Sequence, residues 1–214
     1  MIYLNSKKKG KLIVIEGCDA VGKTTRVKNI TEYLEGNNIP VHFMHFPNKD
    51  SSLGMMIYDV LFRRIKMPSV LDLQKLYLLD MYMSSETINL YLEEGYYVIL
   101  DRYYYSALIY TLAADCKDSY IEALNYKNAL NIKTPDLVLP LYDSKFTTIK
   151  KNLDSIKNKD SHESSLEFQK KLNNLYSDNT IINDCENIIF LDIDKGYDII
   201  DDTVKKAIIE FIRG

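Results

Sequence analysis

Cysteine is sparse in this 214-residue chain, limited to Cys18, Cys116 and Cys185. An odd number without metal-ligand spacing excludes a disulfide framework and points to a reducing compartment. Apolar runs of membrane-spanning length are missing, as is a signal-peptide core. The expected location is therefore the cytoplasm, with the nucleus left open, and no membrane partner is expected. There is no basic excess either. A net charge of −3 argues against a nucleic-acid partner of the duplex-binding kind, which needs cationic charge to displace counterions, whereas small anionic ligands need only local charge. Arginine stands at five positions only, Arg26, Arg63, Arg64, Arg102 and Arg213. With no internal repeat and no linker, residues 1–214 read as a single domain, and a hydrophobic content of 46% suffices for a sizeable core. Lys7, Lys8 and Lys9, with Lys11 just beyond, make the first ten residues a basic, solvated tail.

Against these absences, one stretch stands out. Gly17-Cys18-Asp19-Ala20-Val21-Gly22-Lys23-Thr24 matches G-x-x-x-x-G-K-[ST], and the apolar, β-branched segment Leu12 to Ile15 before it reads as a buried strand. After it, Val27, Ile30 and Leu34 recur at helical spacing. Strand, glycine loop and helix N-terminus form a phosphate cradle. Backbone N–H groups and the helix dipole meet the anion, Lys23 brings a point charge, and Thr24 offers a hydroxyl to Mg²⁺. A switch GTPase would also carry N-K-x-D, but Asn48-Lys49-Asp50 and Asn158-Lys159-Asp160 lack the intervening residue.

Further along, short apolar strands alternate with helical patterns. Strands are expected at Val41 to Phe46, Tyr96 to Leu100, Leu137 to Leu141 and Ile188 to Leu191, and one long helix from a Ser69 cap to about Glu94. Such alternation implies an α/β fold with a parallel sheet covered on both faces. Asp101-Arg102 falls at the carboxyl end of a strand, the edge where open α/β sheets bind ligands. Lysine-rich residues 145–159 and the break at Asp160 to Ser165 suggest a mobile lid over about 145–165. His42 and His45 lack partners of metal-site type and read as structural, and the acidic run Asp192, Asp194, Asp198, Asp201 and Asp202 as solvated.

Four motifs in order resemble the thymidylate kinase family: Glu16 to Thr25; Phe46-Pro47-Asn48-Lys49 with Gly54; Asp101-Arg102-Tyr103 with Ser106 and Tyr110; and Pro135-Asp136-Leu137-Val138. Order and spacing agree to about Tyr176, and more loosely beyond. The resemblance implies a P-loop fold with a five-stranded parallel sheet, a homodimer, and transfer of the γ-phosphoryl group of Mg-ATP to dTMP, making dTDP. It also implies roles. Gly17, Cys18, Asp19, Ala20, Val21, Gly22, Lys23, Thr24 and Thr25 would hold ATP, with Thr24 and Asp101 on Mg²⁺. Lys23, Arg102 and Asp19 would form the catalytic set, Arg102 bridging the phosphates and Asp19 nearing the acceptor 3′-hydroxyl. Phe46, Pro47, Lys49, Tyr77, Met81, Arg102, Tyr103, Ser106 and Tyr110 would bind the acceptor, Tyr77 stacking on the base and Tyr110 packing on the sugar.

Against the family pattern, Lys49 replaces a phosphate-binding arginine, and Met81 stands where an arginine reads the thymine carbonyl. Ala107 holds a position that carries a base-reading amide in some members. Ala20 and the lid both lack the catalytic arginine, leaving Lys150, Lys151, Lys157, Lys159 or Arg26 to replace it. Two alternatives follow: a deoxynucleoside monophosphate kinase of altered or relaxed base choice, and a catalytically weak nucleotide-binding regulatory protein.

Overall fold

The computed structural model describes residues 9–66, 69–114, 117–155 and 165–213. Residues 1–8 of the expected tail, and 156–164 of the expected lid with Lys157 and Lys159, lie outside the described residues.

The sheet is built around β1 (Leu12–Gly17). Leu12, Ile13, Val14 and Ile15 are fully buried, and withdrawing each such side chain from water is worth roughly 1.5–3 kcal/mol. In chain order follow α1 (Lys23–Gly36), β2 (Val41–His45), α2 (Ser52–Leu61), α3 (Val70–Met83), α4 (Ser85–Glu93), β3 (Tyr97–Asp101), α5 (Tyr104–Ala113), α6 (Lys117–Ala129), β4 (Leu137–Tyr142), α7 (Thr147–Ser155), α8 (Leu166–Tyr176), β5 (Leu191–Asp192) and α9 (Tyr197–Arg213). The five strands are parallel in the order β2-β3-β1-β4-β5. Helix α1 lies against β1, β2 and β3 and also meets α9, α8 lies against β1 and β4, and α5 packs among α3, α6 and α8.

Two expectations shift, each for a local reason. The fifth strand keeps only two paired residues beside one bridge between Val138 and Ile188. Val138 N–H donates to Asn187 O (2.9 Å) and Ile189 N–H to Val138 O (3.0 Å). The next donor in the ladder would be residue 140, and Pro140 has no N–H to give. The long helix capped by Ser69, whose hydroxyl accepts from Asp72 N–H (3.1 Å), divides at Ser84 into α3 and α4. There Ser84 and Ser85 donate their hydroxyls back to the carbonyls of Asp80 (3.0 Å) and Met81 (3.2 Å), a bond that competes with the helical ladder and bends it.

All strand carboxyl ends share one edge, and β1 sits at its centre between β3 and β4, where the winding of the chain reverses. That is the crevice in which doubly wound sheets hold their ligands.

Candidate active site

At the end of β1 the chain turns on Gly17 (φ 146), where a Cβ would lie 2.8 Å from both the Leu141 carbonyl oxygen and Val21 Cγ1, so no side chain fits. The loop passes through Ala20 (φ 61) and Gly22 (φ 93) and becomes α1 at Lys23. Among the described residues no side chain caps α1, leaving its first N–H groups to an anion. Lys23 is buried and folded over the loop, its Nζ donating to the carbonyls of Gly17 (3.1 Å) and Cys18 (2.7 Å). Burial lowers its pKa and the Arg102 cation pushes the same way, against Asp101 and Asp19. Burial likewise raises the Cys18 thiol to about 12, so it stays protonated and inert.

Asp101, the last residue of β3, is buried beside this lysine. Burial alone would raise its pKa, but hydrogen bonding from His45 and the charges of Lys23 and Arg102 outweigh it and hold the carboxyl below its ordinary value. Its Oδ2 lies 3.4 Å from His45 Nδ1, while Oδ1 is buried with no hydrogen-bond partner. An ionised oxygen left dry, with the Thr24 hydroxyl on the same cavity wall, suits a hard divalent cation, so these residues fit Mg²⁺.

Arg102 follows in a left-handed conformation (φ 69), its N–H bonded to Ile15 O (2.9 Å). Its guanidinium donates to Gly17 O (2.9 Å) and Ser106 Oγ (3.3 Å) and pairs with Asp19. Asp19 Oδ2 also accepts from Gln169 Nε2 (2.7 Å) and the Tyr110 hydroxyl (3.3 Å), and Asp19 N–H donates to Gln169 Oε1 (3.0 Å). Beneath them the fully buried Glu16 accepts from Tyr103 N–H (2.7 Å), Ser106 N–H (3.3 Å), Ser106 Oγ (2.7 Å) and the Tyr176 hydroxyl (3.1 Å). Burial raises its pKa, partly offset by these bonds and by Arg102. This one carboxylate ties β1, the start of α5 and α8 together.

Opposite the loop, Asp80 anchors the Phe46-Pro47-Asn48-Lys49 segment, accepting from Asn48 N–H (2.8 Å) and the Ser51 hydroxyl. Burial raises the Asp80 pKa against those two bonds. Between the two sides lies a cavity of about 250 Å³ walled by Asp19, Ala20, Lys23, Thr24, Asp101 and Arg102 toward the loop. The rest of its wall includes Pro47, Tyr58, Leu61, Gln74, Tyr77 and Tyr110.

The structure thus gathers Asp19, Ala20, Lys23, Thr24, Pro47, Tyr77, Asp101, Arg102, Ser106 and Tyr110 on one cavity. Other expected site residues are placed elsewhere. Gly17, Cys18 and Val21 form the buried underside of the loop, while Gly22 and Thr25 are exposed where α1 begins. Phe46 and Tyr103 are fully buried and pack on each other (ring centroids 6.2 Å apart) behind the wall. Lys49 is exposed, its Nζ 5.3 Å from the Tyr58 ring. Met81, expected at the base, is fully buried in the hydrophobic core and is not among the wall residues. Arg26 is engaged on the far side of α1, bonded to Asp201 Oδ1 (2.7 Å) and stacked on Tyr197 (4.3 Å). Asp201, expected to be solvated, also accepts from Asn29 (2.6 Å). On α7, Asn152 donates to Ala20 O (2.9 Å), with Lys150 and Lys151 exposed beside it.

Some site residues escape the sequence reading. His45 was expected to be structural, yet it lies on the wall against Asp101, and its place at a strand's carboxyl end is the signal that finds it. Gln74 lies three residues before Tyr77 on the same helical face. Gln169 and Tyr176 arrive from α8 with no local signal at all.

Comparison with known proteins places this geometry. A family model described as thymidylate kinase matches residues 15–204. The chain is 36% identical over 113 residues to the thymidylate kinase of Plasmodium falciparum (isolate 3D7), covering 51% of this chain and 52% of that one. It is 36% identical over 105 residues to the thymidylate kinase of an African swine fever virus isolate (Pig/Kenya/KEN-50/1950), covering 49% and 44%. The chain spans about half the length of the curated relatives it matches. Among solved structures, a thymidylate kinase from Candida albicans described as having broad substrate specificity superposes with a TM-score of 0.75 at 25% identity, over 96% of this chain and 93% of that one.

Proposed function

Since the chain belongs to the thymidylate kinase family, we propose that it transfers the γ-phosphoryl group of ATP to dTMP, giving dTDP. The observation that carries this reading is the Asp19–Arg102 pair, which joins the phosphate loop to the strand tip on the wall of a cavity also lined by Tyr58, Tyr77 and Tyr110. A monophosphate has a second pKa of about 6 and is already an anionic nucleophile at neutral pH, so no side-chain base is required. The site must hold two anions in line and neutralise developing charge.

In this reading the loop N–H groups and Lys23 hold the donor phosphates. Lys23 exchanges its bonds to the Gly17 and Cys18 carbonyls for phosphate oxygens. Thr24 and Asp101 would hold Mg²⁺, which screens the charge of the donor phosphates when bound. Arg102 spans donor and acceptor phosphates, keeping its bond to Gly17 O. Asp19 meets the acceptor 3′-hydroxyl, Tyr110 packs on the sugar, Tyr77 covers the base, and Pro47 with Lys49 approaches the acceptor phosphate. Lys150 and Lys151, beside the Asn152 whose amide reaches Ala20 O, would supply the remaining positive charge. The same proposal includes a single domain with a lid over about 145–165, a homodimer, and a cytoplasmic location. Among the described residues no helix is long and apolar enough to cross a membrane.

Incubation with Mg-ATP and each deoxynucleoside monophosphate tests it. Phosphorylation of dTMP should exceed that of dGMP and dCMP. Equal rates would replace dTMP by a relaxed set of acceptors, a second reading favoured because the wall's lysine and arginine, Lys23 and Arg102, both belong to the phosphate side. Tight nucleotide binding without turnover would favour the weak regulatory protein instead.

A further inference from the structure

We propose that Gln74 is the residue that reads the hydrogen-bonding edge of the acceptor base, a proposal that rests on the cavity being the deoxynucleotide site. Gln74 is 2% exposed, lies on the cavity wall, and its Nε2 is buried with no hydrogen-bond partner. Buried amides are nearly always satisfied, so one left open at a cavity needs an account. It stands one helical turn before Tyr77 on α3, and Leu61 and Tyr58 of α2 line the same cavity. A flat aromatic beside a lone amide amid apolar groups suits a flat, edge-polar ligand.

The chemistry then supplies a pairing for thymine. A carboxamide offers a donor beside an acceptor. Thymine offers N3–H beside the O4 carbonyl, so Oε1 accepts from N3–H while Nε2 donates to O4. An arginine in such a place could only donate. Met81 does neither, being buried in the core.

Two edits, one on each partner, test the pairing. With wild-type protein, methylating N3 of dTMP should lower kcat/KM by about 10- to 100-fold, the effect of leaving a buried polar group unpaired. In Gln74→Ala that methyl penalty should shrink at least several-fold, because the partner is gone. Gln74→Glu, nearly isosteric but unable to donate when ionised, should lower kcat/KM for dTMP about tenfold, since a carboxylate oxygen then faces O4 in place of the Nε2 donor. ATP affinity should stay unchanged in both variants, and melting curves report whether each is folded. A methyl penalty identical in wild type and Gln74→Ala, or a kcat/KM for dTMP unmoved in folded Gln74→Glu, overturns the assignment. Turnover of no deoxynucleotide would instead bring down the kinase reading and this proposal with it.

Discussion

Arg102 holds a left-handed backbone (φ 69) at the point where its guanidinium bonds Gly17 O and Asp19. A non-glycine residue pays about 1–2 kcal/mol for that conformation. Strain and chemistry can therefore be separated by substitution. Arg102→Gly and Arg102→Ala should both lose at least about 100-fold in kcat, yet the glycine variant should be more stable by about 1 kcal/mol in denaturant titration. Asp101 gives a second prediction. Its folded pKa is depressed below its unfolded value, so its contribution to stability is complete above the ordinary carboxylate pKa of about 3.9 and is lost as pH falls through the folded value. Unfolding free energy measured against pH should therefore decline on the acid side, and Asp101→Asn should flatten that decline.

Among the elements, the segment before α2 is held by backbone contact as well as by Asp80. A Cβ on Gly54 would lie 1.9 Å from the Asn48 carbonyl oxygen, so Gly54→Ala must displace the Pro47-Asn48 segment that forms part of the cavity wall. The expected outcome is a KM for dTMP raised about tenfold or more, with KM for ATP little changed, in steady-state kinetics. The α1–α9 contact behaves differently. Arg26 and Asp201 are both mostly buried there, with side-chain exposures of 7% and 13%, and removing one partner of such a pair costs about 3–5 kcal/mol. Arg26→Ala should lower the melting temperature while leaving kcat of the folded enzyme within about twofold, and a collapse of kcat at full stability would return Arg26 to the catalytic set.

Across the whole molecule, what the sequence made legible was local or periodic. The phosphate loop, the Asp101-Arg102 turn and four of the five strands follow from short spacings, because buried parallel strands are continuous apolar runs and loop glycines are forced by contact. What escaped depends on the path of the chain in space. Gln169 reaches Asp19 across 150 positions, and no pattern near either residue announces the meeting. Periodicity put Tyr77 and Met81 on one face of the helix but could not say which would meet a cavity and which the core, and it gave no sign of Gln74. The same limit hid Pro140, whose missing N–H matters only once its neighbouring strand is known. Tyr77 is partly buried on the cavity wall of a protein with 17 tyrosines and no tryptophan. Tyr77→Trp would give the chain a single indole chromophore at the base position, excitable at wavelengths where tyrosine is silent. Its emission should be quenched by dTMP and left unchanged by ATP alone, turning occupancy of one half of the cavity into an optical signal.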